Sequence, residues 1–291
     1  MLSAGIALAD ENGSTITPFG IGDFGAGQSP PPTPYGTFAI SGSYYHADMT
    51  RDGRGDKVDN NFDLTVKSIS LTYVKMFEAQ LFGANYGFAA SIPFLNIGGN
   101  VTAATPTGLL NLANESGGIG DIQIYPIILQ WDLTKNWFVN ATLQVQAPTG
   151  EFNTREAFTP GVNHWAIAPV VSFTYISDSG FEISMRNELN FNTRNPTTRY
   201  TSGVGFKNEF ALGQHFGPWT VGIGGYAYQQ ITDDSAPNLT SGNRGRVFAA
   251  GPAITYNEPG MPAIGLHAYQ EFGARNRSEG YNVNVRVAFT F

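Results

Sequence analysis

From Tyr281 to Phe291 the chain reads Tyr-Asn-Val-Asn-Val-Arg-Val-Ala-Phe-Thr-Phe. Tyr281, Val283, Val285, Val287, Phe289 and Phe291 are apolar, and Asn282, Asn284, Arg286, Ala288 and Thr290 between them are small or polar. Successive strand residues point to opposite faces, so this strand has one oily side and one wet side. A soluble sandwich is expected to end its last strand in a polar tail. A strand running to a final aromatic is expected of a bacterial outer-membrane barrel, where it also closes the wall.

The same alternation recurs. In Phe181–Asn192, Phe181, Ile183, Met185, Leu189 and Phe191 share one face, and Glu182, Ser184, Arg186, Glu188 and Asn190 share the other. Trp137, Val139, Ala141, Leu143 and Val145 alternate in the same way with Asn140, Thr142, Gln144 and Gln146. From Tyr35 onward twelve strand candidates can be read, beginning with Tyr35–Asp48, Phe62–Phe77 and Gln80–Phe94. Tight connections at Glu78-Ala79, Asp132–Lys135, Ser177–Gly180 and Glu258-Pro259-Gly260 alternate with longer polar ones such as Asn96–Gly120, Pro148–Asn163 and Thr232–Asn243. Short turns at one end and long loops at the other characterise transmembrane barrels, and an even strand number leaves both termini on the short-turn side. The predicted fold is all-β: a transmembrane antiparallel up-and-down β-barrel of twelve strands over residues 35–291.

The polar faces decide which side meets lipid. Glu182, Arg186, Glu188, Lys207, Glu209, His267, Glu271 and Arg286 fall on them. Inside a sandwich core each would cost several kcal/mol if unpaired, roughly the penalty of a buried ion. A watery lumen removes that penalty, so the apolar faces are expected to face lipid. Aromatics also gather near the turns (Phe77, Phe82, Trp131, Trp137, Tyr175, Phe181, Phe216, Trp219), as an interfacial girdle requires.

Composition removes other classes. No apolar run approaches the ~18–20 residues of a spanning helix. There is no cysteine, hence no disulfide framework and no thiolate metal site. A net charge of −7 leaves no basic stripe for nucleic acid. Residues 1–9 end in Ala7-Leu8-Ala9 and read as the remnant of an export signal, although no basic segment precedes them. Residues 10–34 are irregular and rich in Gly and Pro, and Pro30-Pro31-Pro32-Thr33-Pro34 cannot join a central strand. Such a segment either trails into the periplasm or folds back into the lumen, and the lumen is the preferred expectation.

Four short segments are similar to a known family. They are Asp23-Phe24-Gly25-Ala26-Gly27 with Pro30-Pro31-Pro32 and Tyr35, Gly83-Ala84-Asn85-Tyr86-Gly87, Gly118-Ile119-Gly120-Asp121-Ile122 with Pro126, and Ala147-Pro148-Thr149-Gly150. In this order and spacing the chain resembles the family named for the meta pathway of phenol degradation. The resemblance implies an outer-membrane channel of twelve strands that moves small molecules, often in connection with the breakdown of aromatic compounds.

The eight lumenal residues named above are the candidate pore lining. Glu182, Arg186 and Glu188, with Lys207 and Glu209 facing them, form either a transverse field at a constriction or an ion-pair ladder supporting the wall. The same two readings hold for Arg286 with His267 and Glu271. Leu109-Leu110-Asn111-Leu112 is expected to fold over the mouth or to meet lipid or a neighbouring loop. The acidic stretch Asp48–Asp59 lacks the spacing and the distal Glu of a calcium loop. An enzyme would need a serine beside a histidine, yet His46, His164, His215 and His267 carry no such motif and no G-x-S-x-G occurs. No catalytic residue, metal or cofactor is therefore expected. The expected partners are small-molecule solutes, outer-membrane lipid and the outer-membrane assembly machinery, which would read the C-terminal strand; the expected state is a monomer. The leading expectation is passive diffusion of small solutes through a narrow polar lumen. The alternative is lateral release of hydrophobic compounds through the wall, where Pro126, Pro169, Pro252 or Gly222-Gly224-Gly225 would weaken it. A barrel without transport is a third reading.

Overall fold

A computed structural model of the protein describes residues 9–11, 18–105, 108–237, 239 and 243–291. Residues 1–8 of the expected export-signal remnant lie outside the described residues, as do residues 12–17 of the Gly/Pro-rich segment. The chain forms β1 (Thr37–Arg51), the two-residue β2 (Lys57–Val58), β3 (Asp63–Leu81), β4 (Ala84–Thr105) and β5 (Gly108–Ile119). Then come β6 (Gln123–Asp132), β7 (Trp137–Gln146), β8 (Ala166–Ile176), β9 (Phe181–Asn192) and β10 (Gly205–Phe216). β11 (Trp219–Gln230), β12 (Arg246–Tyr256), β13 (Ala263–Arg275) and β14 (Arg277–Thr290) complete the series.

Each wall strand pairs antiparallel with its neighbours, and β14 pairs back onto β1 from Thr37↔Thr290 to Arg51↔Arg277. β2 only extends the edge of β1, and β5 pairs with β4 alone. Twelve strands therefore make a closed up-and-down barrel. Closure removes every sheet edge from the wall, which is the condition for a strand to lie in lipid.

Two sequence expectations are corrected. The β3–β4 turn falls at Phe82-Gly83 rather than Glu78-Ala79, with Leu81 paired to Ala84 and a register shift between Met76 and Gln80. Both turn residues have positive φ, 54° at Phe82 and 74° at Gly83, a conformation that Phe rarely adopts, so the sequence does not advertise it. Asn96–Gly120 is not an irregular loop. The outer part of β4 and all of β5 pair as a hairpin arm from Phe94↔Ile119 to Thr105↔Gly108. Several of its residues, Gly98, Gly99, Asn100, Asn114, Ser116 and Gly117, are small or polar on both faces, so period-two hydropathy is silent there. In this arm Leu112 packs on a cluster of Ala47, Phe62 and Val101, whereas Leu109 stands exposed.

The outer face is oily. Ile69, Leu71, Val171, Ile223 and Leu266 are all roughly half exposed, on strands whose alternate residues turn inward. In water so continuous an apolar belt would drive aggregation, whereas lipid is the solvent it fits. Phe82, Trp137, Phe181, Phe216 and Trp219 lie exposed at the tight-turn end, where amphipathic and aromatic rings suit the membrane interface. No described helix is long and apolar enough to cross a membrane. The crossing is made by strands, and the molecule is a transmembrane barrel of the outer-membrane type.

Candidate functional site

Residues 18–34 run along the inner face of one side of the wall. This strap has almost no backbone pairing of its own, the bond from Gln28 N–H to Gly25 O (2.8 Å) being the exception among the described residues. Its amides must find acceptors elsewhere, because a buried unpaired N–H costs about as much as a lost hydrogen bond. They find them on wall side chains. Gly20 N–H donates to Glu209 Oε1 (2.7 Å), Gly25 N–H to Glu182 Oε1 (2.6 Å) and Gly27 N–H to Thr174 Oγ1 (2.9 Å). Asn140 Nδ2 donates to Ser29 Oγ at 2.9 Å, and Lys75 Nζ holds Pro34 O at 2.8 Å where the strap enters β1. A side chain at Gly27 would drive its Cβ to 2.3 Å from the Thr174 backbone nitrogen, so the close approach demands glycine.

The charged candidates lie beneath this strap. Cross-strand register sets Lys207 opposite Glu188 and Glu209 opposite Arg186. Arg186 Nη1 is 2.6 Å from Glu188 and 3.4 Å from Glu209, and Lys207 Nζ is 3.4 Å and 3.8 Å from the same two carboxylates. Opposite charges facing across an antiparallel pair attract, and here Glu188, Lys207 and Glu209 are buried while Arg186 keeps an edge on the lumen. Glu182 is buried too. Its second oxygen lies 2.6 Å from Nε2 of His215, a residue outside the eight sequence candidates. His267 Nδ1 sits 2.7 Å from Asp23 of the strap, and the Tyr269 hydroxyl donates to the same carboxylate. Glu271 accepts from Tyr226 (2.7 Å), Tyr45 (2.9 Å) and Gly280 N–H (2.8 Å). Among the described residues Arg286 makes no ion pair or hydrogen bond with His267 or Glu271, its expected companions.

At the long-loop end a second contact pins the chain. Asp10 accepts from Tyr228 (2.5 Å) and Arg277 (3.4 Å), and its N–H donates to Asp234 at 3.1 Å. Burial pushes the Asp10 carboxyl up to about 7, against the opposing pull of Arg277. Sequence reading misses Asp10 and Arg277 because each is an isolated charge with no motif, and it meets Asp23 only as part of the Asp23–Gly27 segment, which gives it no partner. The signal available was Tyr226 and Tyr228 alternating next to Gly224, whose missing side chain leaves room for the Tyr269 hydroxyl.

The opposite side of the lumen is open. A cavity of about 1000 Å³ runs from Thr37, Thr290 and Asp132 at the tight-turn end to Leu64, Ile97 and Phe158 at the other. Along β1, β3 and β4 its wall carries a run of hydroxyls, Ser41 and Ser43 on β1, Ser68, Ser70 and Thr72 on β3, and Ser91 on β4, among apolar residues such as Val66, Leu95 and Ile97. Of the eight sequence candidates only Arg186 and Arg286 border this cavity, and Glu182 and Arg286 border a smaller one of about 140 Å³ beside Phe24. The acidic loop forms its own turn, with Asp52 accepting the amides of Arg54 (2.8 Å) and Asp56 (2.9 Å), bonds that hold its carboxyl below the usual range. Among the described residues no group of three or more His, Cys, Asp or Glu is placed to hold a metal ion.

A family model described as putative MetA-pathway of phenol degradation matches residues 47–287. The chain belongs to this family. Two of the segments that suggested it meet in space in this MetA-pathway family member: Asp121 accepts Gly150 N–H at 2.8 Å and Val162 N–H at 2.8 Å, tying the β5–β6 connection to the β7–β8 loop. The COG4313 outer membrane channel from Pseudomonas putida F1 has a similar fold, with a TM-score of 0.69 over 90% of this chain and 100% of that one at 16% identity. The beta domain of the Bordetella autotransporter Brka is more loosely alike (TM-score 0.49, 10% identity, 88% of this chain and 100% of that one). No curated protein matches the chain in sequence.

Proposed function

We propose that this protein is a channel of the bacterial outer membrane that lets small solutes diffuse passively along the open side of its lumen. The observation that carries the reading is the hydroxyl-lined cavity, which borders residues from both ends of the barrel beside a strap that fills the other side. Hydroxyls can replace part of a solute's hydration shell without holding it, as conduction requires. The strap, part of residues 10–34, acts as a fixed partial plug that narrows a twelve-strand bore. The buried charges support wall and strap more than they face solute. The lumen is complete within one chain, so a monomer suffices, and β14 closes the wall where assembly machinery would engage it. The family description favours small organic compounds, aromatic ones included.

Planar-bilayer recording with purified protein tests this. Small, resolved conductance steps are expected; an insulating membrane at any protein concentration overturns the reading. Lateral release keeps one specific support. At Pro126 the register shifts on both flanks of β6, between Gly87 and Ala89 toward β4 and between Ile124 and Ile127 toward β7. The glycines expected to weaken the wall do not do so, since pairing runs unbroken through Gly222, Gly224 and Gly225 on both sides. A covalent clamp across Tyr86 and Pro126 that stopped hydrophobic uptake but spared ion conductance would favour the lateral route.

A further inference from the structure

Arg286 differs from every other charge in the lumen. It lies on the inner face of β14, with Ser41 and Gly265 as its cross-strand neighbours, and it borders both cavities while remaining exposed to them. Among the described residues it makes no ion pair and no hydrogen bond. The carboxylates that share those cavities are already engaged. Glu182 takes Gly25 N–H, Ser184 and His215, and Asp23 takes His267 and Tyr269. Asp121 takes Gly150 and Val162, and Asp132 takes Gln130 at 3.0 Å. The other lumenal arginines are matched by acids, Arg186 by Glu188 and Glu209, and Arg277 by Asp10. The open side of the lumen thus carries one guanidinium with no partner among the described residues, whereas its carboxylates already hold donors, inside a sleeve of lipid and protein where screening is weaker than in bulk water.

We propose that Arg286 is the recognition group for a small organic monocarboxylate passing through the lumen, a proposal that rests on the channel reading. A guanidinium presents a planar fork that matches a carboxylate with two parallel hydrogen bonds. Ser41, Thr255 and Asn284 around it offer further polar contacts, and Phe24, Ala263 and Ala288 offer apolar surface to the rest of the solute. A dianion or a phosphate ester would need a second unmatched cation, and the described lining supplies none. One charge with an apolar body is the chemistry that fits.

The test is fluorine NMR of the full chain in non-ionic detergent with 4-fluorobenzoate as the probe and 4-fluorobenzyl alcohol as its neutral counterpart. The wild type should broaden and shift the carboxylate signal in a saturable way. Arg286→Gln should weaken that binding roughly tenfold or more, the scale of a lost hydrogen bond to a charged group, and Arg286→Lys should restore part of it. The alcohol should respond alike to wild type and Arg286→Gln. Equal carboxylate binding by Arg286→Gln, no saturable binding by the wild type, or tighter binding of the alcohol than of the acid overturns the proposal. Binding is read here without current, so a wild type that binds the probe but never conducts would sink the channel reading and leave the carboxylate site standing.

Discussion

On β9 and β10 the inner face carries Glu182, Arg186, Glu188, Lys207 and Glu209, whereas on β1 and β3 it carries Ser41, Ser43, Ser68, Ser70 and Thr72. Both are the wet faces of strands with the same outward oil. They end differently because of side-chain size and bonding capacity. The long charged residues reach one another across the register and reach the strap, so that side is dry and filled. The serines and threonines satisfy themselves locally, as Ser43 and Ser68 do at 2.6 Å and Thr72 and Ser91 do at 2.8 Å, and leave volume behind. One wall thus supplies a foundation and the other supplies a path.

The sharpest break of that comparison is to remove one acid from the filled side. Glu188→Ala leaves Arg186 and Lys207 sharing Glu209 in a buried site, and breaking a buried pair from one side costs about 3–5 kcal/mol. Thermal unfolding in detergent should show a large drop in midpoint. A midpoint near the wild type would mean that water reaches the cluster and that the two sides are not so different.

Much of this molecule could be read before it was seen. The strands were legible because lipid on one side and polar groups on the other impose a period of two, which is why Phe181–Asn192 and Tyr281–Phe291 are so regular. The β4–β5 arm was not, because outside the membrane neither face needs oil. The pairing of Lys207 with Glu188 could be anticipated from register, but the burial of both could not. That burial depends on a strap whose docking is specified by backbone amides at Gly20, Gly25 and Gly27, and amides leave no mark on a sequence. Strand adjacency alone groups Arg286 with His267 and Glu271. The tyrosines and Asp23 that engage those two had no sequence signature that linked them.

A second break acts on the strap. Gly27→Val puts side-chain atoms where the Thr174 backbone already lies, an overpacking that costs about 1–3 kcal/mol. The strap should lift from β8 and single-channel conductance should rise. Unchanged conductance would show that the strap does not narrow the path.

Acidity offers a milder control at the outer end. The Asp10 carboxyl is raised by docking to about 7, against an ordinary value of 3.8. A raised acid favours the docked state when protonated, so its contribution is full below about pH 4 and is lost as pH climbs through 7. Proteolysis of the N-terminal segment in the intact barrel should therefore quicken between pH 5 and pH 8, a window set by that raised value. Asp10→Asn should flatten the dependence, and a wild-type rate independent of pH would contradict it.

The smallest effect belongs to the open side. Ser70→Ala removes one lining hydroxyl without disturbing the wall, and stability should stay within about ±0.5 kcal/mol of the wild type, as for an isolated accessible site. A loss comparable with that of Glu188→Ala would erase the distinction between the two sides.

Because the chain has no cysteine, single thiols report the lumen without interference. Ser70→Cys on β3 and Ser184→Cys on β9 place them on the open and the filled side, and a charged, membrane-impermeant thiol reagent can be added during single-channel recording. The account predicts rapid modification of Ser70→Cys with a stepwise loss of current, and no change at Ser184→Cys. Block at Ser184→Cys with Ser70→Cys silent would contradict it.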